Sequence, residues 1–161
     1  MSGHTLILLR HAKSDWSSAS PDIERPLARR GRRQAPEAGR WLATNIPDID
    51  VALVSSAVRA RSTWELVAEE FDAPPQQRVD DRLYAATLEE LLTVVRQLPE
   101  DLGTVVMVGH NPGMEDLVTS LTGDQVQMTT SAVVVVDLAG AWAQAGHVPA
   151  TLRTAGRPPT T

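Results

Sequence analysis

Two hydrophobic patterns alternate along this chain. Short, nearly continuous apolar runs at 5–10 (TLILLR), 51–55 (VALVS), 104–109 (TVVMVG) and 132–138 (AVVVVDL) lack polar alternation, which predicts strands buried on both faces. Between them the apolar positions follow helical spacing. Ala35, Ala38, Trp41 and Leu42 share one face of 27–43 with arginines opposite, Leu66 and Val67 point inward from 59–70, and Leu88, Leu91, Leu92 and Val95 mark 87–97. Thr87 and Glu90 stand at the spacing of a capping box, and a further helix is expected at 114–121. Pro36 interrupts the first helical pattern, either by starting a second piece or by kinking a single helix, because it lacks an amide hydrogen.

Strands alternating with helices favour an α/β fold, a three-layer α/β/α sandwich around a mostly parallel sheet. In such sheets ligand sites gather beyond the carboxyl ends of the strands. Three predicted strands end in polar groups: Arg10-His11, Ser55-Ser56 followed by Arg59, and Gly109-His110. The aperiodic 12–26 segment after the first of them is longer than a connection requires and reads as a functional loop.

At 161 residues the chain closes one substantial core, expected over 1–155, with a flexible tail at 156–161. The net charge of −5 is uneven: residues 1–61 hold 10 Lys and Arg against 6 Asp and Glu, and the remainder holds 5 against 14. A basic segment inside an acidic chain suggests a local anion site rather than a nucleic-acid surface. Cysteine is absent, which excludes disulfides and thiolate chemistry. The start carries no signal-peptide pattern and no run is long enough for a membrane span, so the expectation is a cytoplasmic protein with no membrane partner.

Taken together, the strand ends supply two arginines and two histidines and no cluster that looks like a metal site; no cofactor is expected. Arginine forks match phosphoryl oxygens in pairs, and phosphoryl transfer needs mainly positioning and charge stabilisation. A neutral histidine can attack phosphorus. His11 is the candidate nucleophile, with Arg10, Arg59 and His110 holding the phosphoryl group; Lys13, Ser14 and Asn111 are candidate contacts.

Leu9-Arg10-His11-Ala12 resembles the Leu-Arg-His-Gly signature of the histidine phosphatase superfamily, which includes phosphoglycerate mutases. The segment 55–63 (SSAVRARST) and Val108-Gly109-His110-Asn111 resemble two further motifs of that family, in family order. The resemblance spans about 5–155 and implies a phosphoglycerate mutase-like fold, a phospho-His11 intermediate and inorganic phosphate as product. Ala12 and Lys13 replace the family's usual Gly and Glu. Where members acting on alkyl phosphates carry a general-acid Glu, this chain has Leu83-Tyr84-Ala85; Asp81 and Glu89 are the nearest substitutes.

General acid catalysis is worth roughly a hundred- to ten-thousand-fold. An imidazole leaving group can depart neutral without it, so the missing acid favours phosphohistidine on a protein as substrate. The Arg-His-Ala-Lys-Ser run and Asp22-x-x-Arg25-Pro26-Leu27 resemble the SixA-type phosphohistidine phosphatase branch. The rivals are a general small-molecule phosphomonoesterase acting on phosphate esters and a non-catalytic phosphoprotein-binding module. Arg29, Arg30, Arg32 and Arg33 read first as a solvated helix face, and second as a dock for an acidic partner. His4 and His147 are expected at the surface, Arg61 in solvent, and the four tryptophans in or near the core, with Trp16 able to wall the pocket.

Overall fold

A computed structural model describes residues 3–158. One six-stranded sheet, in the order β3-β2-β4-β1-β5-β6, is built from β1 (His4–Arg10), β2 (Val51–Ser55), β3 (Gln76–Asp80), β4 (Thr104–Gly109), β5 (Val133–Leu138) and β6 (Ala150–Gly156). Strands β3, β2, β4 and β1 run parallel; β5 pairs antiparallel with β1, and β6 with β5.

The four continuous apolar runs form the four inner strands, and their side chains divide between two cores as the pleat requires. Leu6, Leu8, Val105 and Met107 face one core with α3 (Leu88–Arg96) and α4 (Gly113–Thr122). Ile7, Leu9, Val106 and Val108 face the other with α1 (Arg29–Asn45) and α2 (Val58–Ala68). Each such buried side chain contributes about 1.5–3 kcal/mol. The result is the three-layer α/β/α sandwich expected.

The two strands absent from the sequence reading are both edges. β3 (QQRVD) is almost wholly exposed, and β6 alternates only weakly, because an edge strand need not be apolar on either face. Pro36 lies inside one continuous α1. The capping box forms as read: the Thr87 side chain accepts the Glu90 amide, and Glu90 accepts the Thr87 amide. His4 departs from expectation. It is buried, with Nδ1 2.7 Å from the Gly140 carbonyl and its ring tilted against Trp142, so it packs rather than faces water. His147 and Arg61 are exposed, Trp64 and Trp142 are buried and Trp41 is half-buried. In the segment expected as a tail, Gly156 closes β6 and Arg157 donates from Nε to the Thr130 carbonyl at 2.9 Å; 159–161 lie outside the described residues. Among the described residues no helix is long and apolar enough to cross a membrane.

Candidate active site

Register brings the motif residues together. Arg10, at the end of β1, stands opposite Gly109, at the end of β4, so His11 and His110 leave neighbouring strands with ring centroids 5.1 Å apart. On the other side of β4, β2 ends at Ser55, whose Oγ lies 2.7 Å from His110 Nε2, and the following turn into α2 delivers Arg59. β5, being antiparallel, begins at this same end. Ser131 precedes it at φ 64°, a left-handed conformation that costs a non-glycine residue energy. There its amide donates to the carbonyls of Arg10 and His11 at 3.0 and 3.1 Å.

These elements and the 12–26 loop enclose a pocket of about 280 Å³ lined by Arg10, His11, Lys13, Ser14, Trp16, Asp22, Arg25, Arg59, His110, Asn111 and Thr130. Every residue singled out for nucleophile or phosphate contact is among them. Asp81 and Glu89 are not: both are exposed, on the turn after β3 and in the first turn of α3, and neither reaches the pocket.

His11 is buried, with Nδ1 2.8 Å from the Ala12 carbonyl. A carbonyl only accepts, so Nδ1 carries the hydrogen and Nε2 keeps its lone pair. Burial pushes the imidazole down to about 3, and the neighbouring His110, Arg59 and Arg10 act in the same direction. The ring is therefore neutral across the physiological range. The Ala12 amide donates to Thr63 Oγ1 at 2.9 Å, and that hydroxyl donates to the Arg59 carbonyl at 2.7 Å, tying the turn after His11 to α2. His110 is pushed down to about 4 by burial, then by Arg59. Ser55 Oγ accepts the Ala57 amide; with its hydrogen given to His110 Nε2, the neutral ring carries a proton on Nδ1.

Asp22 is the acidic hub of the pocket. It accepts from Tyr84 Oη at 2.7 Å, from Arg25 Nη2 at 3.0 Å and from Arg59 Nη2 at 3.0 Å, while its carbonyl accepts from Arg59 Nη1 at 2.7 Å. Those donors, Tyr84 first, hold its carboxyl well below the usual carboxylate range. Arg25 also donates to Ser14 Oγ, and its guanidinium lies 3.6 Å over the Trp16 ring. Trp16 is thus not a core residue; it is 70% exposed at the pocket mouth. Asp22 and Arg25 were visible in the sequence only as part of a segment resembling the SixA branch, with no role attached, and Tyr84 only as the residue standing near the family's acid position. Their meeting needs the fold.

A second network sits behind Arg10. Its Nη1 donates to the Met128 carbonyl at 2.9 Å, as does Asn111 Nδ2, while Glu115 Oε2 accepts from Asn111 Nδ2 at 3.0 Å and from the Met128 amide at 2.6 Å. Glu115 carried no sequence signal beyond its place in a helix.

Among the described residues, five buried side-chain nitrogen or oxygen atoms lack a hydrogen-bond partner: Nε of Arg10, Arg25 and Arg59, Nδ1 of His110 and Oδ1 of Asn111. All five belong to this one pocket. Buried polar groups are ordinarily satisfied, and three arginines lining one cavity, each with an unpartnered Nε, concentrate positive charge there in a way that suits an anion. No group of three or more His, Cys, Asp or Glu that could hold a metal ion occurs among the described residues.

The family model of the histidine phosphatase superfamily (branch 1) matches residues 6–84. A protein assigned as phosphohistidine phosphatase SixA in Nakamurella multipartitia superimposes with a TM-score of 0.85 at 32% identity, covering 98% of each chain. The protein histidine phosphatase SixA complexed with tungstate superimposes at 0.82 with 26% identity, covering 96% of this chain and 97% of that one. A protein of uncharacterised function from Mycobacterium tuberculosis is 36% identical over 146 residues, 84% of this chain and 90% of its own length. This chain therefore belongs to the histidine phosphatase superfamily, in its SixA branch.

Proposed function

We propose that this phosphatase hydrolyses phosphohistidine on a protein through a phosphoryl intermediate on His11 Nε2. The observation that carries the reading is the convergence of Arg10, Arg25, Arg59 and His110, each with an unpartnered buried nitrogen, on one pocket around a neutral, buried histidine whose Nε2 is free. Arg10, Arg59 and His110 hold the phosphoryl oxygens, with Arg25, Lys13, Ser14 and Asn111 at the margin. The incoming dianion raises the proton affinity of His110, which burial and Arg59 otherwise depress, and strengthens the ring as a donor. Guanidinium groups supply the positive charge, so the reading asks for no metal ion and no cofactor.

His11 Nε2 attacks phosphorus as the bond to the substrate's imidazole nitrogen breaks. That imidazole, protonated on its other nitrogen, leaves neutral. Water then attacks the phosphoryl group, yielding inorganic phosphate and returning the electron pair to Nε2. No step requires a carboxylic acid, and the pocket offers none: Asp22, held ionised by Tyr84, Arg25 and Arg59, has no proton to give at neutral pH. An alkyl phosphate, whose alkoxide needs that proton, is a poor substrate on this reading. The sequence suits a cytoplasmic setting for such a carrier substrate.

The test is phosphate release from a phosphohistidine-bearing carrier protein and from an aryl phosphate, with chelator present, for wild type and His11→Ala. Turnover of the carrier with a dead variant and an acid-labile phosphoryl label on His11 is expected. Rapid hydrolysis of small esters with the carrier untouched would replace this reading with a general phosphomonoesterase; phosphate binding with no label would replace it with a binding module.

A further inference from the structure

The first turns of α1 carry Arg29, Arg30, Arg32 and Arg33, all exposed. On a helical wheel they fall opposite the buried Gly31, Gln34, Ala35, Ala38 and Leu42, so they form one continuous basic face. That face is expensive to keep. The positive end of the helix dipole disfavours cations there, the arginines repel one another at i,i+3 and i,i+4, and no acidic residue stands in the first turn to relieve them. Arg32 donates to the Leu27 carbonyl, but among the described residues none of the four is in an ion pair, and Arg29, Arg30 and Arg33 make no side-chain hydrogen bond. A merely solvating face would gain more from mixed charge.

The helix that carries this face starts against the pocket loop. The Ala28 amide donates to the Lys13 carbonyl at 2.9 Å, Ser14 and Leu27 form a β-bridge, and the Lys13 amide donates to Gln34 Oε1 at 3.0 Å. A Cβ on Gly31 would collide with the Lys13 carbonyl, so the helix start lies directly against the loop that follows His11. The exposed Trp16 stands at the same pocket. Elsewhere the chain is acidic, with 14 Asp and Glu against 5 Lys and Arg from residue 62 onward. A positive face on the helix that starts against the pocket loop of an otherwise negative protein is an arrangement that steers an acidic surface and repels a basic one.

We infer that the Arg29–Arg30–Arg33 face, with Trp16, is the docking surface for an acidic protein segment that presents phosphohistidine to His11. The inference rests on the protein-phosphohistidine reading above and adds the charge of the partner. Its test uses two synthetic peptides of about fifteen residues, each with one central phosphohistidine, flanked in one by Asp and Glu and in the other by Lys and Arg. Phosphoramidate serves as a small substrate that touches only the pocket. For wild type, kcat/KM is expected to favour the acidic peptide by about tenfold or more at low salt, with the preference collapsing in 0.5 M salt. The triple variant R29E/R30E/R33E is expected to lose or invert that preference while hydrolysing phosphoramidate as wild type does.

Equal turnover of the two peptides by wild type, or an unchanged preference in the triple variant, overturns the docking surface and leaves the protein-substrate reading standing. Hydrolysis of phosphoramidate with neither peptide accepted overturns both. Charge-dependent retention on anionic vesicles or single-stranded DNA with no discrimination between the peptides assigns the patch to another class of partner and also overturns the proposal.

Discussion

Keeping two neutral imidazoles buried among arginines should make this protein lose stability as the pH falls from 7 to 5. In the unfolded chain both histidines titrate near the ordinary 6.5, whereas in the folded protein burial holds His11 near 3 and His110 near 4. The folded values are depressed, so below 6.5 the unfolded state takes up protons that the native state refuses. The stabilisation is fully present above the unfolded value and is lost as pH falls toward the folded ones. At pH 5 each histidine then costs about 2 kcal/mol relative to pH 7, and the pair about 4 kcal/mol. Against a typical total of about 5–15 kcal/mol that is a large fraction. Carboxylates with lowered values, such as Asp22 and Asp137, contribute little in this window because their unfolded counterparts titrate near 3.8. Urea unfolding at the two pH values reads the effect. With a slope of about 2 kcal/mol per molar urea, the wild-type midpoint should drop by about 2 M, each of His11→Gln and His110→Gln should recover about half, and the double variant most of it. A double variant whose midpoint falls as far as that of wild type would show that these rings do not carry the penalty.

Two other perturbations test the networks around the pocket. Asp22→Asn removes a carboxylate that competes with phosphate for Arg25 and Arg59; since exposed pairs are worth about 0.2–1 kcal/mol each, the inhibition constant for inorganic phosphate should fall roughly three- to tenfold, and weaker inhibition would mean that Asp22 aligns the arginines rather than competing for them. Glu115→Gln weakens the charge-assisted bonds to Asn111 and the Met128 amide that set the carbonyl gripping Arg10; kcat/KM should fall by about tenfold, whereas a lowered Tm with kcat/KM intact would make Glu115 a purely structural residue.

The inner sheet was legible because four buried strands on both-face cores must be apolar throughout, and 5–10, 51–55, 104–109 and 132–138 are. β3 and β6 escaped because hydrogen bonding along an edge leaves no mark on side-chain chemistry. His4 was misread for a related reason: its burial depends on the Gly140 carbonyl and the Trp142 ring, more than 130 residues away. The same distinction divides the site. Arg10, His11, Arg59 and His110 stand at strand ends and inside short motifs, where position along the chain already implies position in space. Asp22, Arg25, Tyr84 and Glu115 act by meeting one another across loops, and Ser131 by a left-handed backbone, none of which a one-dimensional pattern records.

Asp22 also accounts for how so many cations can share one small pocket before substrate arrives. Arg10, Arg25 and Arg59 would repel one another in a cavity with no anion, and Arg25 and Arg59 are nearly as buried as the core. The carboxylate, itself half-exposed, neutralises part of that charge and fixes two guanidinium planes. Its exposure matters. A buried partner would hold the arginines too tightly for phosphate to displace, whereas an exposed one is screened by water and yields to a dianion that also engages Arg10 and His110. The same three donors that make Asp22 a good stand-in anion strip it of its proton, so the feature that stabilises the empty pocket also denies the reaction a general acid. On the proposed reading, a preference for a leaving group that needs no acid follows from how the arginines are held, before any substrate is considered.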